Sequence, residues 1–523
     1  MNENSRPLKF TGSFLFLIVA ILIGGYIRLF QVLQAPLPLG DGGMFFSMTQ
    51  DLIDNRFHLP AFISYNQLNV PNTYPPLAFY MAGFISVFAR LDLINVFRIF
   101  PAIFSILSIP AFYLFAREII RNESQLSIAV LIFALVPPSF NWLIKGGGIA
   151  RSPAFLFSIL ALTFIYRLYT QKKRVNIIFA SIFSALTLLI HPQITLFTAC
   201  SAVVFFLFLS RNKEGVIKSL VVAGLTLLLS APWWLSMIMR YGFAPFINAF
   251  ATGGYSGFSI VRYFFGNTLS EFGPTSITVF GLIGIFLYLN EKEYFLPTLA
   301  LVSTIIDPRS TPRNLILALT ICASYALLRL FRQLSQKKDK KLDHDSNVLS
   351  GILPKIMLLI LFGQWVFSAL YTVNNIANNY SLNEDDIAAV EWMKKNTNPK
   401  SNFLVLSGMI PFDDPFSEWL PSLTDRASLA TVQGKEWDTG IDFAEAVEDF
   451  KAAQSCYLKS ADCIKDWEEK FKENIDYIYI RENNDLADPD EGLYSSAITK
   501  ALLSSNQYDL TFENDLVAIL KKR

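Results

Sequence analysis

Asp41 lies in Pro36-Leu-Pro-Leu-Gly-Asp41-Gly-Gly, about eight residues past the end of the first apolar run. A carboxylate there can take the proton from a hydroxyl group as that hydroxyl attacks. Gly40, Gly42 and Gly43 let the backbone approach a bulky ligand closely. The same aspartate can instead cap a helix that begins near Gly43. A second candidate is Lys145-Gly-Gly-Gly-Ile-Ala-Arg151-Ser-Pro. Three glycines between two cations, opening a helix at Ser152-Pro153, make a phosphate cradle of amides, helix N-terminus and arginine. The alternative is a glycine turn whose cations snorkel to a bilayer surface. A third is Asp307-Pro-Arg309-Ser-Thr-Pro-Arg313. Here Arg309 and Arg313 can grip a phosphate and neutralise it as it leaves, or Arg309 can pair with Asp307 and fix the loop. His191, in His191-Pro-Gln193, either bonds a ligand or satisfies a carbonyl at a helix end. Tyr74-Pro75-Pro76-Leu77 is a rigid lead-in to a helix, and Tyr74 has the ring to stack on a sugar. Asp51 and Asp54, three apart, read as one solvated helix face, and His58 as a loop histidine.

The elements that carry these residues are apolar. The 523 residues are 52% hydrophobic and 17% charged, against about 25% charged in soluble domains, which makes the chain a polytopic membrane protein. No small-x-small site follows the first apolar run, so that run reads as a retained span. Spanning-length runs fall near 12–33, 76–91, 94–118, 125–143, 152–170, 175–191, 193–210, 216–237, 275–290, 293–306, 312–330 and 350–373. Basic loops at 167–174, 211–218 and 329–341 read as cytoplasmic by the positive-inside rule. That places the Asp41 loop, 142–151, His191, 238–274, 307–313 and everything after 373 outside, with the N-terminus inside. Arg117 and Arg121 break the parity: either 76–91 does not fully span, or the 117–121 loop is outside.

After residue 373 the composition changes. From 381 to the end there are 15 Lys and Arg against 28 Asp and Glu, a net −13, which leaves the remainder at +14. Helical stretches (383–396, 441–454, 462–473, 494–504) alternate with strand-like ones (403–407, 427–432, 475–480, 515–520), the pattern of a small α/β domain. Cys456 and Cys463 form a disulfide if this domain faces an oxidising compartment, and are free thiols otherwise. There is no Gly-rich nucleotide loop and no Ser-His-Asp order, and three histidines without a Cys/His cluster argue against a zinc site. The glycines and length of 241–271, with Gly253-Gly254-Tyr255, suit a flap.

In order and in side of the membrane, these motifs resemble the GT-C superfamily of membrane glycosyltransferases, which take sugars from polyprenyl-phosphate carriers, as protein O-mannosyltransferases and the aminoarabinose transferases of lipid A do. The resemblance covers the membrane part and rests on Gly40-Asp41-Gly42-Gly43, Tyr74-Pro75-Pro76-Leu77, the loop 146–151 and Pro312-Arg313. The tail, with Asp414-Pro-Phe-Ser-Glu418-Trp419 and Thr431-Val-Gln-Gly434, looks like the outer domain of uncharacterised bacterial and archaeal members. The apolar runs and their parity give about 11–13 spans, so with the resemblance the expectation is a polytopic α-helical GT-C-like unit (residues 1–374, first outer loop 34–75) and, from the alternation after 373, a C-terminal extracytoplasmic α/β domain (375–523). The resemblance implies an inverting hexosyl- or pentosyltransferase in the cell membrane. The donor would be a polyprenyl-phosphate sugar and the acceptor a glycan, lipid or protein, with no nucleic acid involved. Asp41 would be the base. Arg313 would bind phosphate; Tyr74, Lys145, Arg151, His191 and Arg309 are added as substrate-binding candidates from residue type and place, not from the resemblance. The chain departs from the family where Gly42 replaces the second acid of an Asp-Glu pair, and where Arg151-Ser152 replaces an acid of the second outer loop. Fewer acids argue against a divalent metal, so no metal and no cofactor are expected. The rival is a transporter or flippase of lipid-linked glycans, which calls for buried charge or broken helices near mid-membrane.

Overall fold

Each predicted apolar run forms a helix. The computed structural model describes residues 12–171, 173–251, 269–270, 273–307, 310–336, 351–437, 442–482 and 497–523. The chain opens with α1 (Gly12–Gln34), a short α2 (Gly43–Asp54) and a two-residue strand pair, β1 (Phe62–Ile63) and β2 (Val70–Pro71). Then come α3 (Leu77–Ala89), α4 (Leu93–Ile119), α5 (Glu123–Leu135), α6 (Gly148–Thr170), α7 (Val175–Leu188), α8 (Pro192–Leu209), α9 (Lys213–Tyr241) and α10 (Ala244–Ala251). A second small pair, β3 (Leu269–Ser270) and β4 (Gly273–Pro274), precedes α11 (Ser276–Asn290), α12 (Phe295–Ile305), α13 (Thr311–Gln336) and α14 (Ile352–Asn379). Among the described residues, seven helices are long and apolar enough to cross a membrane: α1, α4, α6, α8, α9, α13 and α14. Five more, α3, α5, α7, α11 and α12, are apolar but shorter. The chain is a multi-pass membrane protein.

Two local features set the route into the loop before α6. The run at 125–143 is helical only to Leu135, because Pro137 and Pro138 cannot extend the amide ladder and instead form a 3-10 turn, Pro137–Ser139. Arg28, fully buried on α1, holds that turn: its guanidinium donates to Ser105 Oγ of α4 (3.0 Å), Gly24 O (3.0 Å), Ala134 O of α5 (2.6 Å) and Ser139 Oγ (3.0 Å), and lies over the Phe140 ring. Four of the five guanidinium N–H groups are thus hydrogen-bonded around the buried charge.

The C-terminal region is a five-stranded sheet between helices. In chain order it holds α15 (Glu384–Asn396), β5 (Asn402–Leu406), α16 (Pro415–Thr424), β6 (Ala427–Leu429), α17 (Phe443–Ser455), α18 (Ala461–Phe471), β7 (Tyr477–Arg481), α19 (Ala497–Ser504), β8 (Tyr508–Glu513) and β9 (Val517–Lys522). The strand order is β6-β5-β7-β9-β8, parallel across β6, β5 and β7 and antiparallel across β7, β9 and β8. Alternation along the strands sorts the faces. Leu404, Leu406, Ile478, Ile480 and Leu520 pack with Ile464, Trp467 and Leu502. Phe403, Val405, Tyr479 and Ile519 join Val390, Met393, Phe416 and Trp419 in a core continuous with that of the membrane bundle. Asp386 on α15 accepts from Tyr479 Oη (2.7 Å) and Arg481 Nε (3.0 Å), and the Arg481 guanidinium sits 4.1 Å from the Phe416 ring. These contacts fix the start of α16. Cys456 and Cys463 form a disulfide with Cα atoms 5.5 Å apart.

Helices α11 and α13 touch through their backbones. A Cβ on Gly284 would overlap the Cys322 carbonyl, the close approach that small residues permit between membrane helices. Gly284→Ala is therefore expected to cost roughly 1–3 kcal/mol. Gly363→Ala, where a Cβ meets nothing within 4 Å, is expected to have little effect; thermal unfolding of the two variants in detergent compares them.

Candidate active site

Asp41 sits in a loop gripped on both sides. On one side the turn before α6 approaches it: the Gly146 amide donates to Leu39 O (2.7 Å) and the Gly147 amide to Asp41 O (2.8 Å). On the other side lies the C-terminal region. Gly40 N donates to Ser381 Oγ (3.1 Å), Trp419 Nε1 to Gly40 O (2.8 Å), Gly42 N to Glu418 Oε1 (3.0 Å) and Ser422 Oγ to Gly43 O (2.6 Å). At residues 42 and 43 no side chain fits between these surfaces. Gly42 has φ +135°, and a Cβ there would lie 2.6 Å from the Gly146 carbonyl carbon; one on Gly43 would overlap the Glu418 carbonyl.

The Asp41 side chain does not cap α2, whose N-cap is Gly42 with no side-chain bond. It pairs instead with Arg151, whose Nη1 lies 3.2 Å from Oδ1 and whose Nη2 bonds Oδ2. Burial alone would raise the Asp41 carboxyl, but the charge and hydrogen bonds of Arg151, the charge of Lys145 and the Gly147 amide outweigh it and hold the group below the ordinary carboxylate range. Lys145 is buried with its Nζ 3.8 Å from the Trp142 ring, and Arg151 Cζ is 5.3 Å from the same ring. Burial lowers the Lys145 ammonium, opposed by Asp41, Asp413 and Glu418.

The turn 145–148 departs from the amide cradle expected of it. Helix α6 begins at Gly148, not at Ser152-Pro153, since the glycines form its first turn. The amides of Gly146, Gly147 and Gly148 are all engaged, by Leu39 O, Asp41 O and Lys145 O. The turn therefore offers an anion the side chains of Lys145 and Arg151 rather than its backbone.

Tyr74 is buried in an aromatic box, with Phe45 (5.0 Å between ring centroids), Phe79 (5.8 Å), Trp437 (5.7 Å) and His191 (6.2 Å, edge-on) around it. Burial raises its phenol, with Arg151 and Arg313 opposing and Glu436 and Asp41 reinforcing. The ring therefore links the Asp41–Arg151 pair to Arg313. His191 is the N-cap position of α8. Arg313, in the first turn of α13, has Nη2 3.9 Å from Asp307 Oδ2 and Nε 3.4 Å from Asn314 Oδ1. Asp307 thus faces Arg313; Arg309 and the Gly253-Gly254 flap fall outside the described residues. The structure brings together Asp41, Tyr74, Lys145, Arg151, His191 and Arg313 at one end of the bundle, where α3, α6, α8 and α13 begin. It leaves the other acids of the first loop aside. Asp51 accepts from Ser64 N (2.8 Å) and Oγ (2.6 Å), so it pins β1 rather than forming a solvated face with Asp54. His58 bonds only locally, to Asn55 O. Among the described residues no group of three or more His, Cys, Asp or Glu is placed to hold a metal ion.

The C-terminal region supplies what sequence reasoning missed: Glu418, Trp419 and Ser422 on the Asp41 loop, and Glu436 and Trp437 beside Tyr74. Glu418 is buried, and burial, reinforced by Asp41, pushes its carboxyl up to about 8 against the Gly42 amide and Arg151. The signal was the pair of tail motifs around Glu418 and Gly434; nothing in them says that they fold back onto residue 42.

No protein-family model and no curated protein matches the sequence. Solved structures do match, and the fold is the one shared by GT-C membrane glycosyltransferases. The chain is similar to ArnT from Cupriavidus metallidurans bound to undecaprenyl phosphate, at 12% identity over 98% of each chain with a TM-score of 0.57. It is similar to the oligosaccharyltransferase AglB from Archaeoglobus fulgidus, in complex with an inhibitory peptide and a dolichol-phosphate, at 14% identity and TM-score 0.54 over 90% of this chain and 69% of that one. It is also similar to the arabinofuranosyltransferase AftD from Mycobacteria, at 14% identity and TM-score 0.55, covering 97% of this chain and 40% of AftD.

Asp41 ionises at lower pH folded than unfolded. Its pairing therefore stabilises the fold above the unfolded value of about 3.9, and that stabilisation is lost as pH falls through the folded value. Asp41→Asn, which leaves Arg151 buried without its counter-charge, is expected to cost roughly 3 kcal/mol at neutral pH. Thermal unfolding across an acid titration should show the gap to wild type closing only below about pH 3.9.

Proposed function

We propose that the protein is an integral membrane glycosyltransferase of the GT-C type. It moves a hexosyl or pentosyl group from a polyprenyl-phosphate carrier to an acceptor hydroxyl at the outer face of the membrane, with inversion. The observation that carries this reading is the buried Asp41–Arg151 pair, an acid held in its ionised form among cations and aromatic rings at one end of the bundle. The shared fold supports the reading, and so do the polyprenyl phosphates bound to ArnT and AglB.

The acceptor oxygen attacks the anomeric carbon from the face opposite the phosphate. Its proton passes to Asp41 as the new bond forms, and the carbon–oxygen bond to phosphate breaks with its electron pair on the phosphate oxygen. Arg313 and Arg151, aided by Lys145, neutralise that oxygen, so the leaving group needs no proton. Arg151 couples the two ends of the reaction. While it grips Asp41 the carboxylate is a weak base. A donor phosphate competes for the guanidinium, and as Arg151 turns to it Asp41 loses its counter-charge and grows more basic. Tyr74, neutral and held by Phe45, Phe79 and His191, offers a ring and a hydroxyl to the sugar. The outer placement of 375–523 and the cytoplasmic N-terminus are supported by the basic loops and by the Cys456–Cys463 disulfide. Residues 1–374 form the membrane unit. The flippase alternative calls for charges that change partners at mid-membrane; Arg28, buried between α1, α4 and α5, is held by four hydrogen bonds within the bundle.

Transfer of radiolabelled sugar from a panel of polyprenyl-phosphate donors tests the reading. Asp41→Asn, at equal expression, is expected to lower transfer by roughly 100- to 10,000-fold. Transfer that survives the substitution would discard Asp41 as base. Movement of the labelled lipid across the bilayer without transfer would favour the flippase. For topology, Lys451→Cys, at an exposed position on α17, is expected to react with a membrane-impermeant maleimide in intact cells.

A further inference from the structure

The groups that hold Asp41 in place come largely from 340 to 380 residues further along the chain, and one of them is an acid. We propose that Glu418 is a positioning residue for Asp41, fixing its backbone from the C-terminal region through the Gly42 amide. The proposal deepens, and rests on, the reading of Asp41 as the base.

Glu418 is carried on α16, whose N-cap Asp414 accepts from the amides of Phe416 (2.9 Å) and Ser417 (3.3 Å). Arg481 packs on Phe416 and Asp386 holds Arg481, so the helix cannot slide without breaking a buried ion pair. From this base Glu418 reaches three groups. Its Oε1 accepts from Gly42 N (3.0 Å), its backbone carbonyl accepts from Tyr65 Oη (2.9 Å), and its Oε2 faces Gln433 Nε2 (3.3 Å). The flanking Trp419 and Ser422 bond Gly40 O and Gly43 O, so the carboxyl group completes a row of contacts along the loop.

The charge state of Glu418 matters as much as its place. The charged and titratable groups around it are Asp41 in the loop, Arg151 on α6, Lys145 before α6 and Tyr65 between β1 and β2. Arg151 is taken by Asp41, and Lys145 sits on Trp142. A second buried carboxylate would lack a counter-ion of its own, and Glu418 accordingly holds its proton to about pH 8. Gln433 Oε1 is buried without a hydrogen-bond partner among the described residues. With that amide turned over, the Glu418 hydroxyl donates to it. A neutral acid binds the Gly42 amide without competing with Asp41 for Arg151 and without repelling an incoming phosphate.

Hydrogen–deuterium exchange on the full-length protein in nanodiscs tests this without any substrate. Peptides covering 39–44, corrected for intrinsic exchange, are compared in wild type, Glu418→Gln and Glu418→Ala. Wild type is expected to keep protection of the Gly42 amide as pH rises through about 8, because the ionised carboxylate accepts that bond at least as well as the neutral acid. Glu418→Gln is expected to keep it, and Glu418→Ala to lack it at every pH. In the transfer assay Glu418→Ala is expected to lower kcat by roughly 100-fold with KM little changed, and Glu418→Gln to recover most of that loss. Unchanged exchange in Glu418→Ala, or loss of protection in Glu418→Gln equal to that in Glu418→Ala, would overturn the proposal. Exchange reads the positioning alone, so absence of transfer in the wild type would strike the function and not this contact.

Discussion

A stretch of backbone gripped too closely for a side chain at residues 42 and 43 determines the candidate site. Residues 39–43 run between the glycine turn before α6 and the α16 helix of the C-terminal region, with carbonyls and amides bonded to both. Glycine at 42 and 43 is what lets three chain segments meet there. Asp41 projects from this clamp and has little freedom in where its carboxylate points. A reacting group held by over-determined backbone contacts needs no reorganisation when substrate arrives.

Electrostatics follow from that geometry. One acid is ionised because Arg151 faces it. A second, Glu418, is protonated because the available cations are engaged elsewhere. Two carboxyl groups in one buried place are thereby pushed apart in proton affinity, the usual sign of groups with different tasks. Arg28 works at a distance. By bonding Ala134 O and Ser139 Oγ it sets the path of the chain into the turn that carries Lys145 and Arg151.

The helices were legible because apolar length is a strong signal, and four of the five C-terminal strands because their residues alternate or run apolar. The fifth, Tyr508–Glu513, is an edge strand with Asp509, Thr511 and Glu513 along it and shows no such pattern. Helix α16 was not among the expected helices; Pro415 follows the N-cap Asp414 and starts it. In the site, residue types and their place at helix ends pointed to Asp41, Lys145, Arg151 and Arg313. Their partners did not show: Asp41 meets Arg151 across 110 residues and Gly42 meets Glu418 across 376. Such contacts follow from packing in three dimensions, and local spacing carries no trace of them. The glycines of 146–148 were read as donors to a ligand, yet their amides serve the protein itself.

The most direct measurement of the central claim is a cryo-EM structure in nanodiscs with a polyprenyl phosphate bound. The account predicts phosphate density between Arg151 and Arg313, within hydrogen-bond reach of both, with the Arg151 guanidinium turned from Asp41 toward it and the 39–43 backbone unmoved. Phosphate bound elsewhere along the bundle, with the Asp41–Arg151 pair intact, would contradict it.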